Sequence, residues 1–286
     1  MPVPRDLLAA VRTYLDVEIQ SGRRRQPLDP AVVADFLAPP APAPAAPPAS
    51  AAPSAAAEGA LPAAGSGGAR PPAGRSGAGP ADPAPADPAQ VAAAAPDVAA
   101  VAEAVRACRL CALAATRTKS VPGVGNADSP LVMFIGEAPG RDEDLRGEPF
   151  VGRAGQLLDK MIAAMGFSRS EVFIANVLKC RPPDNRTPTP DEMAHCLPFL
   201  RRQIELVRPK TIVALGATAY RGLTGDPGAS ISKFRGLWLK FGDIPLLPTF
   251  HPAYLLRAPA AKRVVWEDLQ KVLAFLGRTP PPVQKK

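Results

Sequence analysis

The chain has 286 residues, a formal net charge of +8 and a sequence pI near 9.6. Outside an Ala/Pro-rich tract it has no run of eighteen apolar residues, and its N-terminus lacks an apolar core with a cleavage site. We therefore expect neither a membrane span nor a secretory signal peptide. The positive charge favours a polyanionic partner, and the expected location is the cytoplasm.

The first hundred residues differ in composition from the rest. Within residues 1–37, the apolar residues of 5–19 fall on one helical face, which predicts either a docking element for a partner protein or a helix that folds back onto the main domain. Residues 38–100 are mostly Ala, Pro, Gly, Ser and Asp, so we expect a disordered linker. The main domain is predicted over residues 101–278, followed by a disordered tail over 279–286.

The main domain alternates apolar runs with helical patterns. Strands are predicted at 131–135, 172–177, 211–216 and 244–250, and helices at 153–165, 191–207, 217–223 and 262–276. This order indicates a parallel sheet covered on both faces, in which ligands bind at the carboxyl ends of the strands. The glycine-rich acidic loop (residues 136–155), Asn176 and His251 all lie at such ends.

Four cysteines form a second pattern, with the spacing C-x2-C and then C-x15-C: Cys108, Cys111, Cys180 and Cys196. In the cytoplasm these are expected to be metal ligands rather than disulfides. Four thiolates suit tetrahedral zinc or an iron–sulfur cluster, and the spacing does not choose between them. Four unrelated buried thiols are the alternative. His195 is either a replacement ligand or an ordinary helix residue.

Four motifs occur in order between residues 105 and 276: GEAPGRDED, RGEPFVGRAGQLLDKM, NVLKCRPPDNRTPTPDE and FHPAYLLR. With the interleaved cysteines, they make the domain resemble the family 4 uracil-DNA glycosylases, the iron–sulfur branch of the uracil-DNA glycosylase superfamily. The resemblance implies a three-layer α/β/α sandwich around a four-stranded parallel sheet, and a [4Fe-4S] cluster on the four cysteines. It also implies an enzyme that flips uracil out of single- or double-stranded DNA and hydrolyses its N-glycosidic bond, leaving an abasic site. We expect a monomer, because nothing in the sequence demands more.

The resemblance also assigns the residues that contact the base. Phe150 becomes a stacking platform, where the sequence alone would favour an anchor for the loop. Asn176 would accept from uracil N3–H and donate to O4, a pattern that cytosine reverses; the alternative is an Asn that bonds to local backbone. Glu143 would lie beside uracil C5 and exclude the thymine methyl. The remaining predicted base contacts are Glu137, Ala138 and Pro139.

Three residues are predicted to be catalytic: His251, Glu137 and Asn176. A neutral His251 that donates to uracil O2 would stabilise the negative charge on the departing base. Family 1 enzymes carry an Asp in the first motif that positions the attacking water, and Ala138 stands at the comparable place here. The base would then leave dissociatively, with the water held by Glu137, Asn176 or backbone groups.

Two segments are predicted to contact DNA: Tyr254, Leu255, Leu256 and Arg257 in one, and Lys179, Arg181 and Arg186 in the other. A leucine of the first would wedge into the gap left by the flipped base. Most carboxylates of the acidic loop are expected to face solvent. The alternative function is a non-catalytic DNA-binding module of the same fold that tethers a partner through its N-terminal helix.

Overall fold

The computed structural model of the chain describes residues 87–226, 228 and 230–279. The helices are α1 (Pro88–Ala93), α2 (Val98–Ala107), α3 (Leu113–Thr116), α4 (Arg141–Arg146), α5 (Arg153–Ala164), α6 (Pro190–Val207), α7 (Ala217–Thr224), α8 (Ile231–Phe234), α9 (Pro252–Arg257) and α10 (Ala261–Phe275). The strands are β1 (Val124–Gly125), β2 (Val132–Gly136), β3 (Phe173–Asn176), β4 (Thr211–Leu215), β5 (Leu239–Phe241) and β6 (Ile244–Thr249). A 3₁₀ turn spans Pro183–Asn185.

The sheet confirms the predicted parallel core but not its strand count. The strand order is β1-β3-β2-β4-β6-β5; the four central strands are parallel, and β1 and β5 add antiparallel edges. The predicted four strands are therefore six in the described residues. Both edge strands are only two or three residues long, too short for a hydrophobic pattern. The four predicted helices are present as α5, α6, α7 and α10, with ends within one residue of those expected.

The sheet is covered on both faces, as the continuous apolar runs require. Successive strand residues point to opposite faces, so Phe134 packs into one core and Ile135 into the other. The first core is closed by α5 and α10, and the second by α6 and α7. This arrangement is the expected three-layer α/β/α sandwich, and it sets the ends of β2, β3, β4 and β6 along one edge.

The domain begins earlier in the chain than predicted. Asp87 and Asp97 accept hydrogen bonds from the first turns of α1 and α2, so both helices start at capped positions within the predicted linker. Ala92 and Ala95 are buried in a cluster with Phe199 of α6, which corrects the predicted start at residue 101. The predicted segment 5–19, residues 38–86 of the linker and residues 280–286 lie outside the described residues. No described helix is long and apolar enough to cross a membrane.

Candidate active site

Three of the predicted site residues meet at the carboxyl edge of the sheet. Asn176 ends β3, directly opposite Gly136 of β2, and His251 follows β6. The rings of Phe150 and His251 lie 5.6 Å apart, with a 30° angle between their planes. A Cβ atom at Gly136 would overlap both Asn176 Oδ1 and the Phe150 ring, so this glycine lets the two side chains meet.

Phe150 sits in a turn that is held from both sides. Its φ of 53° is unusual for a residue with a side chain, and the ring is buried. Glu143 Oε1 accepts from the N–H groups of Val151 and Gly152, both at 2.9 Å, immediately after Phe150. On the other side, Arg169 donates to the carbonyl of Pro149. The turn therefore holds the ring beside Asn176 and His251.

Asn176 is enclosed, with only 1% of its surface exposed. Its Oδ1 is the buried side-chain oxygen or nitrogen that finds no hydrogen-bond partner within the described part of the chain. An unpaired buried acceptor costs about 1–3 kcal/mol, so such groups need an explanation. The alternative of an Asn whose side-chain oxygen satisfies local backbone does not fit this arrangement.

His251 is held as a neutral imidazole with a defined tautomer. Its Nδ1 accepts from the N–H of Ala253 at 3.1 Å, which leaves the proton on Nε2. Burial and, to a lesser extent, the positive charge of Arg257 lower the pKa of His251 to about 4, and the negative charge of Glu143 partly opposes this shift. The site thus presents a donor, Nε2–H, that carries no charge at neutral pH.

The carboxylates of the acidic loop are more structural than expected. Asp144 is buried and accepts from the N–H of Thr118 at 2.9 Å, and Glu143 accepts from three backbone N–H groups, those of Gly140, Val151 and Gly152. Asp144 is therefore an exception to the prediction that most of these acids face solvent, and both carboxylates hold the loop in place. The position of Glu143 relative to uracil C5 stays a prediction.

The turn after β2 carries the predicted base contacts Glu137, Ala138 and Pro139. The carbonyl of Glu137 accepts from the N–H of Leu178 at 3.0 Å, so the turn after β2 is tied to the turn after β3. Pro139 is buried, and Ala138 is partly buried against a cluster that contains Cys180 and Cys196. The predicted contacts of Glu137, Ala138 and Pro139 with the base stay predictions.

The four cysteines line one recess beside the N-terminal half of α6. Its walls are completed by residues of α2, α3, α6 and the adjoining loops: Val105, Ala114, Arg117, Lys179, His195 and Phe199. Burial raises the pKa of the Cys180 thiol and raises that of Cys196 to about 12. Within the described residues, no three His, Cys, Asp or Glu side chains converge tightly enough to hold a single metal ion. The four cysteines are therefore candidate ligands that share one recess.

Arg117 is a recess residue that sequence reasoning missed. Its Nη1 donates to Cys180 Sγ at 2.9 Å, and its Nη2 donates to the carbonyls of Arg106 and Cys108, both at 2.9 Å. The guanidinium therefore joins both cysteine segments. A cation beside the cysteines is a signal for a thiolate site, but the 63-residue separation of Arg117 and Cys180 hides it in the sequence.

The basic segment that includes Cys180 contacts other groups than predicted. Lys179 is 2% exposed, so its predicted contact with DNA is wrong: the Cys180 segment turns this side chain inward. Arg186 forms a two-pronged ion pair with Glu192 at 2.6 and 2.9 Å, at the start of α6. Arg181 donates to Asn185 Oδ1 at 2.8 Å, in an exposed contact. Contacts of Arg181 and Arg186 with DNA stay predictions.

The segment after His251 forms helix α9, so some of the predicted DNA contacts face the core of the protein and others face its surface. Leu255 is fully buried in the core, so its predicted contact with DNA is wrong. Tyr254 is 40% exposed, Arg257 is exposed, and Leu256 is partly buried. Residues 254 and 257 share one helical face, which leaves them and Leu256 as the candidates at the surface.

The buried carboxylate of Asp268 holds the end of strand β6, which leads to His251. Asp268 of α10 is fully buried and accepts from Thr249 Oγ1 at 2.7 Å and from Arg235 Nε at 3.0 Å. The Arg235 guanidinium also lies 5.8 Å from the Phe250 ring centroid. Sequence reasoning missed Asp268 because, in the sequence, it looks like any polar residue of an amphipathic helix.

Comparison with known proteins is consistent with this geometry. A family model described as the uracil DNA glycosylase superfamily matches residues 122–270. The chain is 49% identical over 167 residues to a type-4 uracil-DNA glycosylase of Thermotoga maritima, covering 57% of this chain and 85% of that protein. It is 44% identical over 175 residues to the type-4 enzyme of Archaeoglobus fulgidus, covering 58% and 86%. A type-5 uracil-DNA glycosylase of Pyrobaculum aerophilum is 33% identical over 140 residues, covering 43% and 62%.

Proposed function

The chain belongs to the uracil-DNA glycosylase superfamily, and we propose that it acts as a DNA repair glycosylase that removes uracil. A base inside the duplex is out of reach, so uracil is first flipped into the site formed by Phe150, Asn176 and His251. Hydrolysis of its N-glycosidic bond then leaves an abasic site. The enzyme works as a monomer in the cytoplasm, on single- or double-stranded DNA.

The unpaired Oδ1 of Asn176 carries this proposal. Uracil presents a donor at N3 and an acceptor at O4, so it satisfies both the oxygen and the amide NH₂ of Asn176. Cytosine presents an acceptor at N3 and a donor at N4, which would leave the asparagine and the base unpaired in a dry site. Mismatched buried polar groups of this kind discriminate strongly between similar substrates.

Phe150 and His251 supply the other two requirements of the reaction. The Phe150 ring offers a π-face on which a flipped base stacks, and the turn around it is held before the base arrives. As the bond to the sugar breaks, negative charge develops on uracil, chiefly at O2 and N1. His251 Nε2–H donates to O2, and because the imidazole is neutral it needs no proton transfer to do so.

We propose a [4Fe-4S] cluster as the group held by Cys108, Cys111, Cys180 and Cys196. The recess that all four cysteines line supports this proposal, because four thiolates are the ligand set of a [4Fe-4S] cluster. When bound, the cluster supplies a structural cross-link between the Cys108–Cys111 segment and the two ends of the Cys180–Cys196 loop. Iron and acid-labile sulfide near four per chain are expected, and stoichiometric zinc in both aerobic and anaerobic preparations would contradict the proposal.

The DNA face is proposed to include α9 and the Cys180–Cys196 loop. Tyr254, Leu256 and Arg257 lie next to His251, so they meet the strand where the base leaves it. Arg181 and Arg186 would lie near the phosphates. Residues 5–19 are proposed as a docking element for a partner protein.

An excision assay tests the function directly. Oligonucleotides with uracil opposite G, uracil opposite A, unpaired uracil and thymine opposite G are incubated with enzyme, and abasic sites are cleaved with alkali. We expect product from the uracil substrates and none from T:G. Binding of DNA without any excision would favour the non-catalytic DNA-binding module instead.

Asn176→Asp, which changes the donor and acceptor pattern of this side chain, should raise the excision of cytosine relative to that of uracil. An unchanged ratio would exclude Asn176 as the residue that distinguishes the two bases.

A further inference from the structure

Lys179 is a buried lysine that lies between the two candidate sites. Its Nζ donates to the backbone carbonyl of Asn176 at 2.8 Å and to Gln203 Oε1 at 2.6 Å. Gln203 is itself buried, and its Nε2 donates to the carbonyl of Pro122 at 2.7 Å. Both acceptors of the ammonium group are therefore neutral, and both are fixed by the fold.

The charge of Lys179 has no carboxylate partner within the part of the chain that the structure describes. A buried ammonium group without a counter-charge is costly, so Lys179 keeps its charge only if a negative group lies nearby. Lys179 lines the recess of the four cysteines, and the next residue in the chain is Cys180. A [4Fe-4S] core held by four thiolates is an anion, and it would supply the missing charge.

The backbone around Lys179 transmits its position to the uracil site. Between Asn176 and Cys180 the chain makes a short turn, in which Val177 N–H donates to Gly136 and Leu178 N–H donates to Glu137, both at 3.0 Å. The bond from Lys179 Nζ back to the carbonyl of Asn176 closes this turn. The peptide that orients the Asn176 side chain is therefore held by a side chain that faces the cysteines.

We propose that Lys179 is a positioning residue that couples the four-cysteine site to Asn176. Its ammonium group balances the negative charge of the bound cluster on one side and holds the Asn176 carbonyl on the other. Arg117 donates to Cys180 Sγ and to the carbonyls of Arg106 and Cys108, but not to the Asn176 peptide, so it balances charge without holding Asn176 directly. This inference rests on the proposed function for its effect on uracil, but not for its effect on the cluster.

The test uses the full-length holoenzyme with Lys179→Met, which keeps an unbranched side chain but removes the donor and the charge. Lys240→Met is the matched control, because Lys240 is exposed on the opposite edge strand β5. Three quantities are measured at matched iron content: the reduction potential of the cluster, its rate of loss to a chelator, and single-turnover excision of uracil. Duplex affinity is measured alongside.

For Lys179→Met we expect a more negative reduction potential, because an anionic cluster that has lost a nearby cation is harder to reduce. We also expect faster loss of iron, and uracil excision slower by about tenfold or more, of the order of one lost hydrogen bond to a charged group. Duplex affinity should change by less than about threefold, since Lys179 does not reach the surface. Lys179→Arg, which restores the charge, should restore the potential and part of the rate.

Gln203→Glu keeps the inference testable if Lys179→Met does not fold. The new carboxylate pairs with the ammonium group, so the reduction potential should shift as in Lys179→Met. Because it also removes the bond from Gln203 Nε2 to the Pro122 carbonyl, only the potential of this variant is compared. A wild-type potential in Lys179→Met, or in Gln203→Glu if Lys179→Met does not fold, would overturn the inference. So would a wild-type excision rate in Lys179→Met. A wild-type protein that excises no uracil would contradict only the proposed function, because the potential and the chelator rate do not depend on excision.

Discussion

At His251, burial and hydrogen bonding both favour the neutral imidazole with its proton on Nε2. The bond from Ala253 N–H occupies Nδ1, and burial opposes protonation of the ring. Replacing His251 by Ala removes one preorganised donor to the developing anion, a loss worth about 10²–10³ in rate. We therefore expect single-turnover excision to fall by that factor while duplex affinity changes by less than about tenfold.

Binding curves at two salt concentrations, measured beside the single-turnover rates, separate this role from phosphate binding. If His251 bound a phosphate instead, its replacement by Ala would weaken DNA affinity, flatten the salt dependence of binding and leave the excision rate at saturation nearly unchanged. Phe150→Ala is the comparison variant, because loss of the stacking platform should affect base capture as well as rate. Excision at the wild-type rate by His251→Ala would end the assignment.

The lowered pKa of His251 also predicts how activity and stability depend on pH. The active, neutral form persists down to about pH 5, so excision should fall only as pH approaches about 4 rather than near 6.5. In the unfolded chain His251 regains its ordinary pKa of 6.5. Between pH 6.5 and about 4 the unfolded state therefore binds a proton that the folded state does not. Its contribution to the free energy of unfolding is therefore complete above pH 6.5 and is lost as pH falls toward 4.

The His251→Gln variant isolates this contribution, because other groups titrate in the same range. The difference between the denaturation free energies of wild type and variant should shrink as pH falls through that window. A constant difference would show that His251 is not held neutral by the fold.

At the scale of the element, the Phe150 turn depends on Glu143. Its carboxylate accepts from Gly140 as well as from Val151 and Gly152, and hydrogen bonds to charged groups contribute about 1.5–3 kcal/mol. Glu143→Gln places an NH₂ group against one of these donors. We expect a lower Tm and uracil excision about tenfold slower, from the loss of roughly one such bond.

Glu143→Ala distinguishes this role from exclusion of thymine. If the Glu143 carboxylate only holds the turn, Glu143→Gln and Glu143→Ala should both excise uracil more slowly, and neither should release product from T:G. If the carboxylate also excludes the thymine methyl at C5, Glu143→Ala should excise thymine from T:G, whereas the isosteric Glu143→Gln should not. Normal Tm and rate in both variants would contradict the positioning role.

Helix α9 makes a matched pair of leucines available. Leu256 is partly exposed beside His251, whereas Leu255 is buried in the core. If Leu256 fills the gap left by the flipped base, Leu256→Ala should slow excision from U:A duplex by about tenfold or more, since unstacking costs a few kcal/mol. Single-stranded DNA needs no unpairing, so its rate should fall far less.

Leu255→Ala should instead destabilise the fold by about 2–5 kcal/mol, as core leucines do. Thermal unfolding of the two variants checks this contrast. Equal effects of Leu256→Ala on single- and double-stranded substrates would exclude a wedge.

At the scale of the whole molecule, α1 and α2 belong to the folded domain. Arg202 of α6 donates to the carbonyl of Ala95 through Nε at 3.0 Å and Nη2 at 2.8 Å, and Phe199 packs against the buried alanines of α1 and its loop. A chain that starts at residue 101 loses these contacts and the Asp97 cap. A chain that starts at residue 87 keeps them.

We expect the shorter chain to lose about 2 kcal/mol or more, from the helix cap and the buried apolar surface. This corresponds to a Tm lower by about 4–8 °C for a domain of this size. Because Phe199 also lines the cysteine recess, iron content should fall as well. Equal Tm and iron content in the two chains would show that α1 and α2 are dispensable.

The sequence by itself determined the features that depend on local pattern. Apolar runs at strand length and amphipathic runs at helix length predicted the four parallel strands and four main helices, because burial on one or both faces imposes a period on the chain. The motifs predicted Phe150, Asn176 and His251, and the strand-end rule explains why they meet. The edge strands β1 and β5 were missed because two or three residues carry no period.

Only the tertiary structure decided the contacts between residues far apart in the chain. Lys179 belongs to a basic, surface-like sequence, yet the turn after Asn176 points it inward. Arg117 reaches Cys180, and Asp268 reaches Thr249, across separations that no local pattern records. Buried charges and polar groups are placed by partners that the fold brings together, so their roles become visible only when the distances between those partners are known.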